Sequence, residues 1–520
     1  MQGLKGNNVD SALLERFERE IWDKVPHLEE NSGQVKVVNP TPLIDMTKDL
    51  KECAKSEYGL DLTDNDLKVF GKFDSDLLAG SIKARPAVHI VHDAIATGKI
   101  TRGQTIIEAT SGNFGIALGQ IGRLGLTVIT LVSRKLQEGV FEELKNEKIR
   151  IMNLDMDICP APGMMGNPDL LVAKATAANV RSQLSDFGFD TAIFDKSRAE
   201  IEAVLAKQDI INLAKLLARI YGCFCPEQYD NELNVDVHRT VTGPEIDQQL
   251  QEHGNSLAEF RIVCTFGTGG TSGGLSRYLM EKHGKKSLHV VFPLGDQDVA
   301  GIRTKGKAMG LKFYEPQRYG GQHEVDFGQA KRLLKFFVDR GHDMGESSAL
   351  ALYAVIQMAN YGGAGGKFVV MIADGIQKYR KNLATTEKKA RLEVPLQEAV
   401  SNIGEYDRVV WIHTMYTPRK EGIELMAKSL GVDESKIFVP KAREVERLLT
   451  TQQIPKELDD ALGKADGKTL LVCMMGNTSL MVAKVLAGKG RTSESLTGGI
   501  SALSQGKGKK ISELVRKATE

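Results

Sequence analysis

Short apolar runs alternate with longer amphipathic stretches from about residue 35 to residue 375. Val35–Val38, Val69–Phe73, Thr105–Ile107, Leu126–Val132, Ile262–Thr265, His289–Phe292 and Phe368–Ile372 are short and rich in β-branched or aromatic residues, which predicts strands. Between them, Ile82–Ala96 and Phe114–Leu124 carry apolar residues at helical spacing, and further helices are expected from about Gln137 and Ser272. Strands that alternate with helices predict an α/β architecture on largely parallel sheets. Residues 154–226 interrupt the rhythm. Pro160, Pro162, Gly163, Gly166 and Pro168 mark a loop, and helical patterns follow at about 170–184 and 197–220. This stretch reads as an insertion, expected to serve as a lid or an oligomer contact.

A second shift falls in the charge-rich run 381–393. Beyond it, Arg408–Ile412, Ile437–Val439 and Thr469–Cys473 read as strands, and Gly422–Leu430, Glu444–Leu449 and Thr478–Leu486 as helices. The expected domains are therefore residues 1–390 and a smaller α/β unit at 395–520, a size that folds alone. The tail from Gly506 is basic and is expected to be helical at its end.

Composition narrows the function classes. The chain has 520 residues, 42% of them hydrophobic and 26% charged, with a net charge of +1. Such a balance gives no field that favours nucleic acid or an anionic membrane. No apolar run approaches the roughly 18 residues of a spanning helix, and Met1–Glu20 offers no apolar stretch for a signal peptide. The six cysteines, Cys53, Cys159, Cys223, Cys225, Cys264 and Cys473, are too scattered for a disulfide framework. A reducing cytoplasm is the expected location. Cys223 and Cys225 lack neighbours at metal-ligand spacing, and His238, His289 and His323 stand isolated, so no metal is expected.

The chemistry concentrates around one lysine. Lys83 lies in Ala79-Gly80-Ser81-Ile82-Lys83-Ala84-Arg85, where Ser81 can cap the following helix. Two small-residue loops come after it: Thr110-Ser111-Gly112-Asn113-Phe114-Gly115 and Gly267-Thr268-Gly269-Gly270-Thr271. Each joins a strand to a helix, where unpaired N–H groups and the positive end of the helix dipole favour an anion. Glycines admit close approach and threonines add hydroxyl donors. Neither loop fits G-x-x-x-x-G-K-[ST], and no acidic ribose ligand follows, so a nucleotide is disfavoured. An amine with two anion-holding loops points instead to a phosphorylated cofactor attached covalently, and to amine chemistry on an amino acid.

From about Thr41 to Tyr379 the chain resembles the cysteine synthase branch of the fold-type II pyridoxal phosphate (PLP) enzymes, the tryptophan synthase β family. Thr41-Pro42-Leu43 is similar to the family's opening motif, Gly80-Ser81-Ile82-Lys83 to its cofactor-lysine motif, and Thr110–Gly115 to its substrate loop. Gln228–Asn234 with Thr242-Gly243-Pro244-Glu245-Ile246 resembles the segment before the phosphate loop. Gly267–Thr271 resembles that loop, and Gly345-Glu346-Ser347-Ser348-Ala349 the segment facing the pyridine nitrogen. The resemblance implies two α/β subdomains and PLP on Lys83, which would form the internal aldimine and later shuttle the α-proton. It implies that Gly267, Thr268, Gly269, Gly270 and Thr271 hold the phosphate and that Asn113 bonds the 3′-oxygen. Thr110, Ser111, Gly112, Phe114 and Gln228 would hold the substrate carboxylate, and Ser347 would face the pyridine nitrogen. A neutral serine there makes the ring a weak electron sink, which favours loss of a β-substituent through an aminoacrylate. Cysteine synthesis from an activated serine and sulfide is the leading expectation, with the reverse-sense release of sulfide from cysteine as the alternative. A homodimer is implied. Ala84, where the branch has an acidic residue, makes this one motif more similar to the D-serine dehydratase branch.

In the smaller unit, Thr469–Val472 leads into Cys473-Met474-Met475-Gly476-Asn477-Thr478-Ser479 and then a helix. A cysteine there reads either as a buried structural residue or as a thiolate stabilised by converging N–H groups. Cysteine phosphatases have an arginine six residues on, and here that position is Ser479. The run Cys473-x-x-Gly476-x-x-Ser479, with Leu496-Thr497-Gly498-Gly499 downstream, resembles rhodanese-like sulfurtransferases. That resemblance implies sulfur carried on Cys473. A reading of another class makes the protein a sulfur-carrier or regulatory module with Cys473 as its working thiol.

Overall fold

The computed structural model describes residues 9–31, 34–62, 66–132, 136–154, 156, 175–295, 297, 299–361, 366–380, 392–414, 416–451, 453–464, 467–474, 476–504 and 514–517. Its backbone divides into two compact units, residues 1–167 with 172–381 and residues 382–520 with 168–171.

Among the described residues the first unit holds a two-stranded hairpin and two larger sheets. Strands β1 (His27–Asn31) and β2 (Gln34–Val38) form an antiparallel hairpin ahead of them. β3 (Leu43–Asp45) and β4 (Leu67–Phe73) open the larger sheet. β5 (Thr105–Thr110), β6 (Thr127–Val132) and β7 (Arg150–Asn153) make a smaller parallel sheet. β8 (Arg261–Thr265), β9 (Leu288–Pro293), β10 (Gly321–Val325) and β11 (Gly366–Ile372) complete the larger one, in the order β10-β9-β8-β11-β4-β3. Only the β3 edge is antiparallel. The near-continuous burial of β4, β5, β6 and β11 follows from helices covering both faces of a parallel sheet, so these strands read as apolar runs.

The helices at 177–221 pack on the small sheet. Thr176 caps Ala177–Asp186 and Asp209 caps Ile210–Tyr221, each through a side chain that accepts a backbone N–H. Phe194, Ile201, Leu213 and Leu217 are fully buried in one core with Ile107, Ile129, Leu131 and Met152 of the small sheet. After them Phe224 bridges Ile106 in parallel, extending that sheet. The expected Pro/Gly loop at 160–168, Cys159 and the start of the helical pattern at 170 lie outside the described residues.

The second unit is a parallel sheet of β12 (Glu393–Val394), β13 (Arg408–Trp411), β15 (Ile437–Phe438), β16 (Lys468–Val472) and β17 (Thr492–Leu496), ordered β12-β17-β16-β13-β15. Between β13 and β15 the chain forms β14 (Tyr416–Pro418), which pairs antiparallel with β18 (Val515–Lys517). Val515–Lys517 is thus a strand in place of the expected helix, and residues 506–513 and 518–520 of the tail lie outside the described residues. Leu514 and Val515 are buried, and the Leu514 carbonyl accepts the Arg419 N–H at 2.9 Å. Tertiary pairing overrides local preference there. Among the described residues no helix is long and apolar enough to cross a membrane.

Candidate active site

Lys83 is the residue from which the Ala84–Ala96 helix starts, and its own N–H is accepted by Ser81 Oγ at 3.2 Å. The turn before it is strained: Ala79, a non-glycine residue, has φ +62°, in the left-handed region. The Ala79 N–H is held by Gln120 Oε1 at 2.9 Å and its carbonyl by Lys378 Nζ at 2.8 Å. A sparsely populated conformation persists where both ends are fixed in this way.

Two residues on, Arg85 anchors the helix in a buried ionic network. Its guanidinium donates to both oxygens of Asp74 at 2.8 and 2.9 Å and to Glu245 at 2.7 Å. Lys72 Nζ donates to Glu245 at 2.5 Å and to the Thr41 carbonyl at 2.6 Å, and the Thr41 N–H returns to Glu245 at 2.7 Å. All four charged side chains are fully buried or nearly so. Two cations facing two carboxylates leave no net charge, which is the condition for burying them at all. This network ties the Thr41 segment and the Gly243–Glu252 helix to the element that carries Lys83.

Lys83 Nζ enters a cleft, where it reaches Thr268 Oγ1 at 3.3 Å. Burial lowers its ammonium to about 8, and the Arg303 guanidinium nearby adds to the effect. Of the residues expected at the site, Ser111, Asn113, Phe114, Gln228, Gly267, Thr268, Thr271 and Ser347 also line this cleft.

The others stand behind it. Thr110 Oγ1 accepts the N–H groups of Gly112 at 3.0 Å and Gly115 at 3.3 Å, so it shapes the loop instead of lining the cleft. Gly112 has φ +129°, and a Cβ there would come within 2.2 Å of Val140. Gly269 has φ +91° at the start of the Gly270–His283 helix, and a Cβ on Gly270 would lie 2.1 Å from Asn234 Oδ1. The glycines of both loops are required by backbone shape and by packing. Gln228 is buried and turns its Nε2 onto the Ala109 carbonyl at 2.9 Å.

Several groups at the site carried no signal in the sequence. Asp374, at the end of β11, lines the cleft and is 3% exposed. Burial raises its carboxyl above the usual range. Glu108, beside the substrate-type loop, accepts N–H groups from Ala109 and Gln228, and burial pushes it up to about 8. Outside the residues that line the cleft, His289 and His323, isolated in the sequence, meet across β9 and β10 at 2.9 Å. No cluster of ligating side chains suited to a metal occurs among the described residues.

Residues 39–375 match the family model described as pyridoxal-phosphate dependent enzyme. The chain belongs to that family. This PLP enzyme is 25% identical over 328 residues to a cysteine synthase of Staphylococcus aureus, covering 61% of this chain and 88% of that one. It is 26% identical over 319 residues to an O-acetylserine dependent cystathionine beta-synthase of Bacillus subtilis, covering 60% and 87%. A hydrogen sulfide-producing enzyme of Fusobacterium nucleatum superposes with a TM-score of 0.46 at 19% identity, over 65% of this chain and 96% of that one. The residues present fit PLP. The Lys83 amine and the Gly267–Thr271 turn, which leads into the Gly270–His283 helix, meet in one cleft, and a Cβ on Gly267 would lie 3.0 Å from the Gly301 carbonyl oxygen and 3.8 Å from Lys83 Nζ.

In the second unit, Cys473 follows β16 and is 3% exposed. Ser479 Oγ lies 3.2 Å from its Sγ and 2.8 Å from Ser495 Oγ. Cys473 and His413 line one small crevice beyond the adjacent ends of β16 and β13. The chain leaves β13 toward β15 on one side and β16 toward β17 on the other, so this is the point where strand order reverses.

Proposed function

We propose that the first unit exchanges or removes the substituent at Cβ of a serine- or cysteine-type amino acid, and that its main direction forms cysteine from an activated serine and sulfide. The observation that carries this reading is the pairing of Lys83, with its lowered ammonium, with a neutral hydroxyl, Ser347, in one cleft. The cysteine synthase and cystathionine beta-synthase relatives, matched over most of their length, support it. When bound, PLP supplies an electrophilic carbon for amines and a conjugated ring that accepts electrons from Cα.

The chain's own residues do the rest. Lys83 would hold the cofactor, and its amine, lowered to about 8, is the base the cleft offers for moving the α-proton. Ser111 and Phe114, at the start of the Asn113–Gly122 helix, would hold the substrate carboxylate, and Asn113 the 3′-oxygen of the cofactor. Thr268 and Thr271 add hydroxyls to the turn that takes the phosphate. Ser347, the neutral hydroxyl of the cleft, would leave the bound ring a weak electron sink, which favours loss of the β-substituent. Overall the Cβ–O bond breaks, the acyl group leaves as a carboxylate, and sulfide forms the C–S bond.

For the second unit we propose a rhodanese-like role in which Cys473 carries sulfur. Its place at a strand end, the Gly476 turn with φ +86°, and the Ser479 hydroxyl beside Sγ support this. The whole is proposed to work as a homodimer in the cytoplasm.

The test is a pair of assays on the full chain loaded with PLP. With O-acetylserine and sulfide, cysteine should form; with cysteine alone, sulfide release should be slower. Sulfide release without cysteine synthesis would reverse the proposed direction. Absence of both would overturn the reaction class. Cys473→Ser should leave cysteine synthesis intact. If it abolishes all turnover while Lys83→Ala does not, the sulfur-carrier reading replaces this one.

A further inference from the structure

We propose that Asp374 and Lys378 are positioning residues for Asn113: they fix which way its side-chain amide faces, so that an N–H is presented to the 3′-oxygen of PLP. The inference rests on the reading of the cleft as a PLP site with Asn113 beside that oxygen.

Asn113 is the first residue of its helix and lines the cleft. Its Nδ2 donates to Asp374 Oδ2 at 2.8 Å, and its Oδ1 accepts from Lys378 Nζ at 2.6 Å. The two ends of a carboxamide are alike in shape and opposite in hydrogen bonding. With a carboxylate on one side and an ammonium on the other, only one orientation is attractive. The flipped amide would set its oxygen against Asp374 and its NH₂ against Lys378. Nδ2 is engaged by Asp374 and by the Tyr379 hydroxyl, and all three residues line the cleft.

Both positioning side chains are themselves held. Asp374 Oδ2 also accepts the Tyr379 hydroxyl, and Oδ1 rests against Gly345, where a Cβ would come within 2.2 Å. Gly345 is therefore glycine to admit this carboxylate. Lys378 Nζ donates to the carbonyl of Ala79, the strained residue of the turn that leads into Lys83. One ammonium thus joins two parts of the site that the sequence separates, the lysine turn and the substrate-type loop. Lys378 lies 265 positions from Asn113 and 299 from Ala79.

The test uses the full chain freed of PLP and titrated with it, reading affinity together with the ratio of visible to near-ultraviolet absorbance of the bound cofactor. A donor on the 3′-oxygen stabilises the charged, visible-absorbing form. Lys378→Met and Asp374→Asn should each bind PLP about tenfold more weakly, the size of one charge-assisted hydrogen bond. Each should also shift absorbance toward the near-ultraviolet. Lys378→Arg should restore both. Tyr379→Phe removes only one hydroxyl and should shift the ratio in the same direction by less, which keeps the test open if a charge variant fails to fold. Variants with wild-type affinity and spectrum would overturn the proposal, and so would a lowered melting temperature with an unchanged spectrum. A wild-type chain that takes up no PLP would sink the site reading and this proposal with it.

Discussion

Lys83 and Cys473 both stand where a strand gives way to a helix, yet their surroundings are built from different materials. Beside Lys83, Arg85 locks into Asp74 and Glu245, with Lys72 completing the quartet. Around Cys473 the described partners are hydroxyls and backbone: Ser479, Ser495 and the Ile500 N–H on the Cys473 carbonyl at 2.9 Å. A buried ionic quartet is stiff, because moving any member exposes another to an apolar medium without its partner. Hydroxyls rotate and exchange partners at little cost. The comparison teaches that the first unit invests its rigidity in the element carrying the amine, as a site that must aim a covalently held cofactor requires. The second unit leaves its thiol in a softer setting.

The comparison can be broken first at Arg85. Arg85→Met leaves Asp74 and Glu245 buried with half their partners gone, and should cost about 3–5 kcal/mol of stability. Denaturant unfolding followed by the first unit's signals would measure it, and a loss below about 1 kcal/mol would show the quartet to be slack. Next comes the phosphate-type turn. Gly270→Ala drives a Cβ into Asn234, whose Nδ2 is already committed to the Gln228 carbonyl at 2.6 Å and to Thr268. We expect about 1–3 kcal/mol of destabilisation and weaker PLP binding, read by thermal unfolding with and without cofactor.

A third prediction concerns pH. Only the neutral amine captures PLP. With the Lys83 ammonium lowered to about 8 from the ordinary 10.5, capture should accelerate from pH 6 and level off above about 8. A profile still rising toward pH 10 would show a solvated lysine. The smallest effect belongs to the second unit. Ser479→Ala removes the hydroxyl between Cys473 and Ser495 and should cost about 1 kcal/mol, with the PLP spectrum unchanged.

What could be read in the sequence follows the same division. Lys83 and its two loops were legible because approach to an anion demands small residues at a strand-to-helix turn, a local requirement. The alternation of elements gave the α/β class, since parallel strands are apolar throughout. Asp374, Lys378, Glu108 and the Arg85 quartet were not legible: their meaning lies in pairings such as Lys72 with Glu245, 173 positions apart, which no local pattern encodes. The part Thr110 plays in shaping its loop, by accepting the N–H groups of Gly112 and Gly115, shows only in the folded chain. The strand at Val515–Lys517 depends on Tyr416–Pro418 as its partner, which local preference cannot foresee.

The account turns on Lys83 as the residue that holds PLP. The direct measurement is borohydride reduction of the PLP-loaded full chain, followed by mass analysis of its peptides. We predict a visible absorption band that disappears on reduction and a single stable pyridoxyl adduct on Lys83. An adduct on Lys72 or Lys378 instead, or a chain with no band and no adduct, would contradict it.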